Sequence, residues 1–227
     1  MSTAVKYIVG LTWQPLLRKY LSKTRAYRYR NIRLKIPSSV FHPGFFFSTH
    51  LLLDQIKGCS LHNKKLLEPG AGSGLISIYA AKKGAIVTAT DINPAAIECL
   101  KENSRTNNVQ IDIRTSDLFE AILPQVFDII VINPPYYKKD PESYSDYAWN
   151  CGRNGDYFKK LFSELKNYIH DETKILMVLC DECDLEMIKR MAAEDGYYME
   201  LAFSKKNMIE KNFIYSIKLS HDHIGQF

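Results

Sequence analysis

Residues 65–91 read KLLEPGAGSGLISIYAAKKGAIVTATD, and this stretch decides the fold. KLLEP (65–69) has the short apolar run of a strand, GLISIYAAKKG (74–84) the spacing of a helix closing on Gly84, and AIVTATD (85–91) a second strand. Between the first strand and the helix stand Gly70, Gly72 and Gly74. Glycines there permit a tight turn and let backbone approach a ligand, with a helix N-terminus just behind. Asp91 ends the second strand 21 residues after Gly70, where an acid can accept hydrogen bonds from both hydroxyls of a ribose. A strand, a glycine turn, a helix and a terminal acid together predict a nucleotide-type ligand.

The same alternation runs on toward the C-terminus. Residues 93–108 predict a helix with Pro94 in its first turn, 109–115 a strand, and FDIIVI (127–132) a strand buried on both faces. Tyr157, Phe158, Leu161, Phe162, Leu165 and Ile169 fall on one stripe of a helix over 156–169. KILMVLC (174–180) is another buried strand, followed by a helix to about Glu194. YYMELAF (197–203) and FIYSIKL (213–219) then form a closing antiparallel hairpin across a polar connection. The fold class is α/β: a doubly wound, Rossmann-like, seven-stranded and mostly parallel sheet ending in that hairpin. Ligands of such sheets bind beyond the carboxyl ends of the central strands, where the winding reverses.

Charge divides the chain differently. Residues 1–53 hold nine Lys or Arg and no acid, whereas residues 54–227 hold 21 basic against 25 acidic side chains. Residues 1–39 are read as a basic N-terminal extension and 40–227 as the domain that carries the strand–helix alternation. Tyr20, Tyr27 and Tyr29 are interleaved with the cations, a composition that suits RNA, where cations neutralise phosphate and rings stack. A solvated edge of the domain has the same composition.

No apolar run reaches the roughly 20 residues of a membrane span, and the first residues lack the pattern of a signal peptide. A cytoplasmic location, with no membrane partner, is expected. Five cysteines show no disulfide spacing, and Cys180 and Cys183 read as buried thiols. The histidines do not cluster, so no metal is expected. Nothing in the spacing sets an oligomeric state.

A dehydrogenase turn would read G-x-G-x-x-G, but this one is G-x-G-x-G with Glu68 two residues ahead of it. It resembles the class I methyltransferases, whose ligand, S-adenosyl-L-methionine, carries an ammonium and a sulfonium and so favours acids near the turn. In TSDLFEAI (115–122), the resemblance implies that Asp117 receives the adenine amino group and that the Leu118 N–H reaches a ring nitrogen. A helix-capping aspartate is the competing reading of Asp117.

The fourth strand runs out in Asn133-Pro134-Pro135-Tyr136. Neither proline can continue a ladder, so a rigid kink carries an amide and an aromatic ring beyond a buried strand. A planar –NH2 is a poor nucleophile because its lone pair is delocalised. The Asn133 side-chain oxygen and the Pro134 carbonyl can each accept one of its N–H bonds, and Tyr136 can stack on its plane. The prolines freeze the loop, so no reorganisation is needed as charge develops.

Two more stretches narrow the family. VFHPGFFFSTHLLLD (40–54) and AWNCGRNGDYFKKLF (148–162) resemble elements of the HemK-type protein-glutamine methyltransferases, in their short branch. The resemblance implies cofactor contacts from Thr49, Glu68, Gly70, Gly72, Gly74, Asp91, Asp117, Leu118 and Asn133, with Asn133, Pro134, Pro135 and Tyr136 holding the substrate. It implies N-methylation of a protein glutamine, in a release-factor-like substrate. The alternatives are RNA N-methylation at adenine N6 or guanine N2, with the basic segment on phosphate, and a non-catalytic RNA-binding module with this fold. Cys151 stands where the family pattern has a glycine, and the Pro43–Thr49 spacing is two residues long for it.

Overall fold

The computed structural model describes residues 23–44, 47–207 and 210–220; the first residues of the basic segment, with Lys6, Arg18, Lys19 and Tyr20, lie outside them. In chain order the elements are β1 (Arg25–Tyr29), β2 (Ile32–Ile36), α1 (Phe47–Lys57), β3 (Lys65–Pro69), α2 (Leu75–Lys82), β4 (Ile86–Asp91) and α3 (Pro94–Thr106). There follow β5 (Asp112–Thr115), β6 (Ile129–Ile132), α4 (Asp156–Leu165), β7 (Lys174–Cys180), α5 (Leu185–Glu194), β8 (Tyr197–Lys206) and β9 (Lys211–Leu219).

Seven strands form one sheet in the order β5-β4-β3-β6-β7-β9-β8. The first five are parallel; β9 runs antiparallel between β7 and β8. The doubly wound sheet and its closing hairpin are those the alternation predicts. The strand over 109–115 is shorter than its pattern, since only Asp112–Thr115 pairs with β4.

The central strands serve both faces at period two. Leu66, Ile129, Val131, Leu176 and Val178 join the core under α1, α2 and α3. Their neighbours Leu67, Ile130, Ile132, Ile175, Met177 and Leu179 join the core under α4 and α5. Winding leaves β3 toward β4 and β5 on one side and resumes at β6 on the other. The carboxyl ends of β3 and β6 are thus the reversal point, with no helix crossing between them.

β1 and β2 form a separate antiparallel ribbon over residues 25–36. Ile32, Leu34 and Ile36 point into the first core, and Arg33 and Lys35 point out. The ribbon is fastened by α3, where two asparagines one turn apart stand in for a neighbouring strand. Asn107 Oδ1 accepts from the Arg33 N–H (3.0 Å) and its Nδ2 donates to the Arg33 carbonyl (2.6 Å). Asn103 Oδ1 accepts from the Lys35 N–H (2.8 Å) while its Nδ2 donates to the Ser73 carbonyl in the glycine turn (3.0 Å). One side chain therefore ties the ribbon to the turn. Among the described residues, no helix is long and apolar enough to cross a membrane.

Asn103→Ala removes the side-chain partner of the part-buried Lys35 N–H and of the buried Ser73 carbonyl. It is expected to lower stability in urea unfolding by about 1–3 kcal/mol, whereas Thr106→Ala, one turn position away and exposed, is expected to stay within about 0.5 kcal/mol.

Candidate active site

A cavity of about 1020 Å³, counting its open mouth, lies over the carboxyl ends of β3, β4 and β6. It holds Thr49, Glu68, Gly70, Gly72, Asp91, Asp117, Leu118, Asn133, Pro134, Pro135 and Tyr136 along its wall. Every residue singled out from the sequence is there except Gly74, which lies beneath the turn, closed over by α3. A Cβ at Gly74 would fall 1.9 Å from Leu100 Cδ1, and the backbone there is left-handed (φ 80°). Gly70 is also left-handed (φ 71°), but a Cβ there would meet nothing within 4 Å. The first glycine lets backbone face the cavity bare; the third lets helix and strand close on one another.

Two carboxyls organise the turn. Glu68 Oε2 accepts from the backbone N–H of Ser77 (2.8 Å) and from the Ser77 hydroxyl. The residue preceding α2 is Gly74, which has no side chain to cap the helix. The strand carboxyl thus takes over a donor that a helix start leaves bare. Asp91 Oδ2 accepts from the Gly72 N–H (2.8 Å) and Oδ1 from the Asn93 N–H (2.9 Å). Asn93 in turn caps α3 through Ala95 (2.9 Å) and donates to the Ser39 carbonyl (3.0 Å), drawing the 39–41 segment to the cavity rim. Burial raises the pKa of both acids, that of Glu68 to about 8, with the charge of Asp91 adding to the effect. Buried carboxyls beside a cavity favour a cationic ligand, which restores ionisation.

Asp117 and Leu118 follow β5. Asp117 caps no helix; its Oδ2 accepts from Lys160 Nζ (2.6 Å), which also pairs with Glu120. Leu118 is buried and left-handed (φ 53°), a strained conformation for a branched side chain. Its carbonyl accepts from the Thr90 hydroxyl (3.1 Å). The strain turns the 117–118 backbone onto the cavity wall.

Beyond β6, Asn133 lies between two hydroxyls. Its Nδ2 donates to Thr49 Oγ1 (3.4 Å), and its Oδ1 accepts from the Tyr136 hydroxyl (2.9 Å). These bonds fix which end of the amide faces which way. The Pro134 carbonyl accepts no hydrogen bond among the described residues. Tyr136 is expected from the sequence as a stacking ring; the structure also turns its hydroxyl back onto Asn133.

The three distant motifs meet here. The Tyr136 and Tyr137 N–H groups both donate to the Trp149 carbonyl (2.8 and 2.7 Å), and the Cys151 N–H to the Tyr137 carbonyl (2.8 Å). Phe41 packs on Trp149 with ring centroids 5.2 Å apart. Residues 40–44, 133–136 and 148–155 are thereby one unit. Cys151 is accommodated because the left-handed positions are Gly152 and Gly155, not 151. Sequence reasoning missed Tyr144, Tyr147 and Tyr157 on the wall, and Lys160 on Asp117. Exposed Tyr144 and Tyr147 in an otherwise polar connection were the available signal. No cluster of metal-ligating side chains occurs among the described residues.

This fold and this site define a class I methyltransferase, and comparison with known proteins agrees. Residues 32–217 match the methyltransferase small domain, and the chain belongs to that family. A Methanocaldococcus jannaschii protein assigned as a protein N5-glutamine methyltransferase is 40% identical over 144 residues, 61% of this chain and 71% of the relative. Human methyltransferase HEMK2 is 30% identical over 183 residues, 74% of this chain and 85% of the relative. Among solved structures, E. cuniculi Mtq2 in complex with Trm112 superposes with a TM-score of 0.62 at 20% identity, over 80% of this chain and 99% of that one. The 16S rRNA guanine methyltransferase RsmC of T. Thermophilus gives 0.59 at 17% identity, over 86% of this chain and 50% of that one. The protein is an S-adenosyl-L-methionine-dependent N-methyltransferase.

The folded state holds the Glu68 proton up to about pH 8, whereas the unfolded chain releases it near 4.5. Its contribution to stability is therefore greatest at acid pH and is lost as pH rises toward 8, at about 1.4 kcal/mol per pH unit. Urea unfolding between pH 5 and 8 is expected to show this decline, reduced in Glu68→Gln to what Asp91 supplies in the same direction.

Proposed function

We propose that this chain methylates the side-chain amide nitrogen of a glutamine in a protein of release-factor type. The observation that carries the reading is the pairing of Asn133 Oδ1, oriented by Thr49 and Tyr136, with the unengaged Pro134 carbonyl on one cavity wall. A primary amide has two N–H bonds on one planar nitrogen, and two fixed acceptors match them. The glutamine-methyltransferase names of the relatives support the same substrate class.

The residues present fit the cofactor. The bare backbone at Gly70, the two burial-strained carboxyls and the strained Leu118 all line one cavity that opens to solvent. Asp91 would hold the ribose hydroxyls, Asp117 and the Leu118 N–H the adenine, and Glu68 with the Gly70–Gly74 turn the amino-acid end. Thr49 joins that set at the Asn133 side. Bound there, S-adenosyl-L-methionine supplies a methyl group on a sulfonium sulfur.

The chain's own part is positioning. Asn133 and Pro134 hold the acceptor nitrogen by its hydrogens, which leaves the lone pair directed away from the loop and into the cavity. The Tyr136 ring lies along the amide plane. The Pro134-Pro135 kink keeps the acceptors in place before substrate arrives. Orientation of this kind contributes up to about 7–11 kcal/mol of barrier reduction.

Asn133→Ala is expected to retain cofactor affinity in calorimetry while turnover falls at least about a hundredfold; unchanged turnover removes the positioning mechanism. Tritium transfer from labelled cofactor into cell lysate identifies the acceptor. Labelling abolished by protease and retained after ribonuclease supports the glutamine reading, and the reverse supports RNA. Arg28 and Arg33 lie directly opposite each other on the ribbon's exposed face. With a protein acceptor, their replacement by Gln is expected to leave kcat/KM within about twofold. With RNA, it flattens the salt dependence of binding.

A further inference from the structure

Residues three apart on a helix share a face, and on α4 that face holds Tyr157 and Lys160. Tyr157 stands on the cavity wall, and Lys160 reaches the turn that follows β5. The Lys160 Nζ donates to Asp117 Oδ2 at 2.6 Å and also pairs with Glu120. Its side chain is 25% exposed against 41% for that of Asp117, so the ammonium is the more covered member of the pair. The Tyr157 N–H donates to the Cys151 carbonyl (3.0 Å), which fixes the helix carrying Lys160 to the segment that also positions Tyr136.

The backbone of the turn is held without the lysine. The Ser116 N–H donates to the Asp91 carbonyl (3.0 Å), the Thr90 hydroxyl to the Leu118 carbonyl (3.1 Å), and the Ala121 N–H to the Ser116 hydroxyl (2.9 Å). Arg114 closes the turn by donating to the Ala121 carbonyl (2.8 Å). What remains for Lys160 is the carboxylate itself. With Oδ2 engaged, the side chain can no longer turn freely, and Oδ1 accepts no hydrogen bond among the described residues. An ionised carboxylate only accepts. We propose that Lys160 is a positioning residue for nucleobase selection: by holding Oδ2 it leaves Oδ1 as a fixed acceptor that takes an exocyclic amino group and rejects a carbonyl in the same place. Adenine presents N–H there, whereas hypoxanthine, of nearly the same shape, presents oxygen lone pairs to the carboxylate. The proposal rests on the reading that Asp117 receives the adenine amino group, and it is independent of the acceptor being protein or RNA.

Calorimetry on the full chain with S-adenosyl-L-homocysteine and S-inosyl-L-homocysteine tests it, since the two ligands differ only at the base. The ratio of their Kd values cancels the contacts to the ribose and the amino-acid end. Wild type is expected to prefer the adenine compound. Lys160→Met is expected to reduce that preference about three- to tenfold, with the melting temperature near that of wild type because the backbone bonds of the turn are untouched. Lys160→Arg keeps a cation on the carboxylate and is expected to retain most of the preference. Glu120→Gln takes away the second partner of the lysine and leaves Asp117 held, so the preference is expected to stay as in wild type. A Lys160→Met variant with wild-type preference, where Asp117→Ala has lost it, overturns the role of Lys160 alone. An equal loss in Glu120→Gln and Lys160→Met also overturns it, because the lysine then acts by bracing the turn. A wild type without preference, or an Asp117→Ala variant that keeps it, overturns the adenine reading of Asp117 and the proposal with it.

Discussion

The central strands β3 and β6 are covered on both faces, so their side chains are apolar for as long as the sheet lasts. Polar chemistry can enter only where these strands stop. Because the winding reverses between them, no helix crosses their carboxyl ends, and the loops leaving them face a common space. The cavity is a consequence of that constraint, and the rest of the site is a set of devices for keeping its loops in place. The glycine turn follows β3 and the Asn-Pro-Pro-Tyr kink follows β6, and the two meet across the cavity.

Carboxyls hold the cofactor side by accepting from backbone. Glu68 substitutes for a missing helix cap, and Asp91 ties the glycine turn to the start of α3. Each is buried at some electrostatic cost, visible as a raised pKa. Their hydrogen bonds offset part of it, and a bound cation would offset more. The same groups thus shape the turn and prepare it for a positively charged ligand.

The acceptor side is built from hydroxyls and an amide. Thr49 and Tyr136 give Asn133 a single orientation, which an isolated amide does not have, since its two ends differ little in shape. Their own positions depend on contacts far along the chain: Thr49 on the packing of α1, and Tyr136 on the Trp149 carbonyl. The prolines make the loop stiff, but the 148–155 segment determines where the stiff loop points.

The βαβ unit of residues 65–91, the two-faced strands and the closing hairpin were legible in the sequence, because apolar periodicity reports directly which faces are buried. The glycine turn, the acid ending β4 and the kink after β6 were legible because few residues can serve in such backbone positions. Other features came only from tertiary structure. The basic segment carries a two-stranded ribbon fastened by Asn103 and Asn107, side chains that look like ordinary helix-surface amides in the sequence. The strain at Leu118, the pairing of Lys160 with Asp117 and the aromatic rim of Tyr144 and Tyr147 left no periodic trace. Periodicity records a residue's relation to its own element. These features are relations between residues tens of positions apart, which exist only once the packed sheet has brought its loops together.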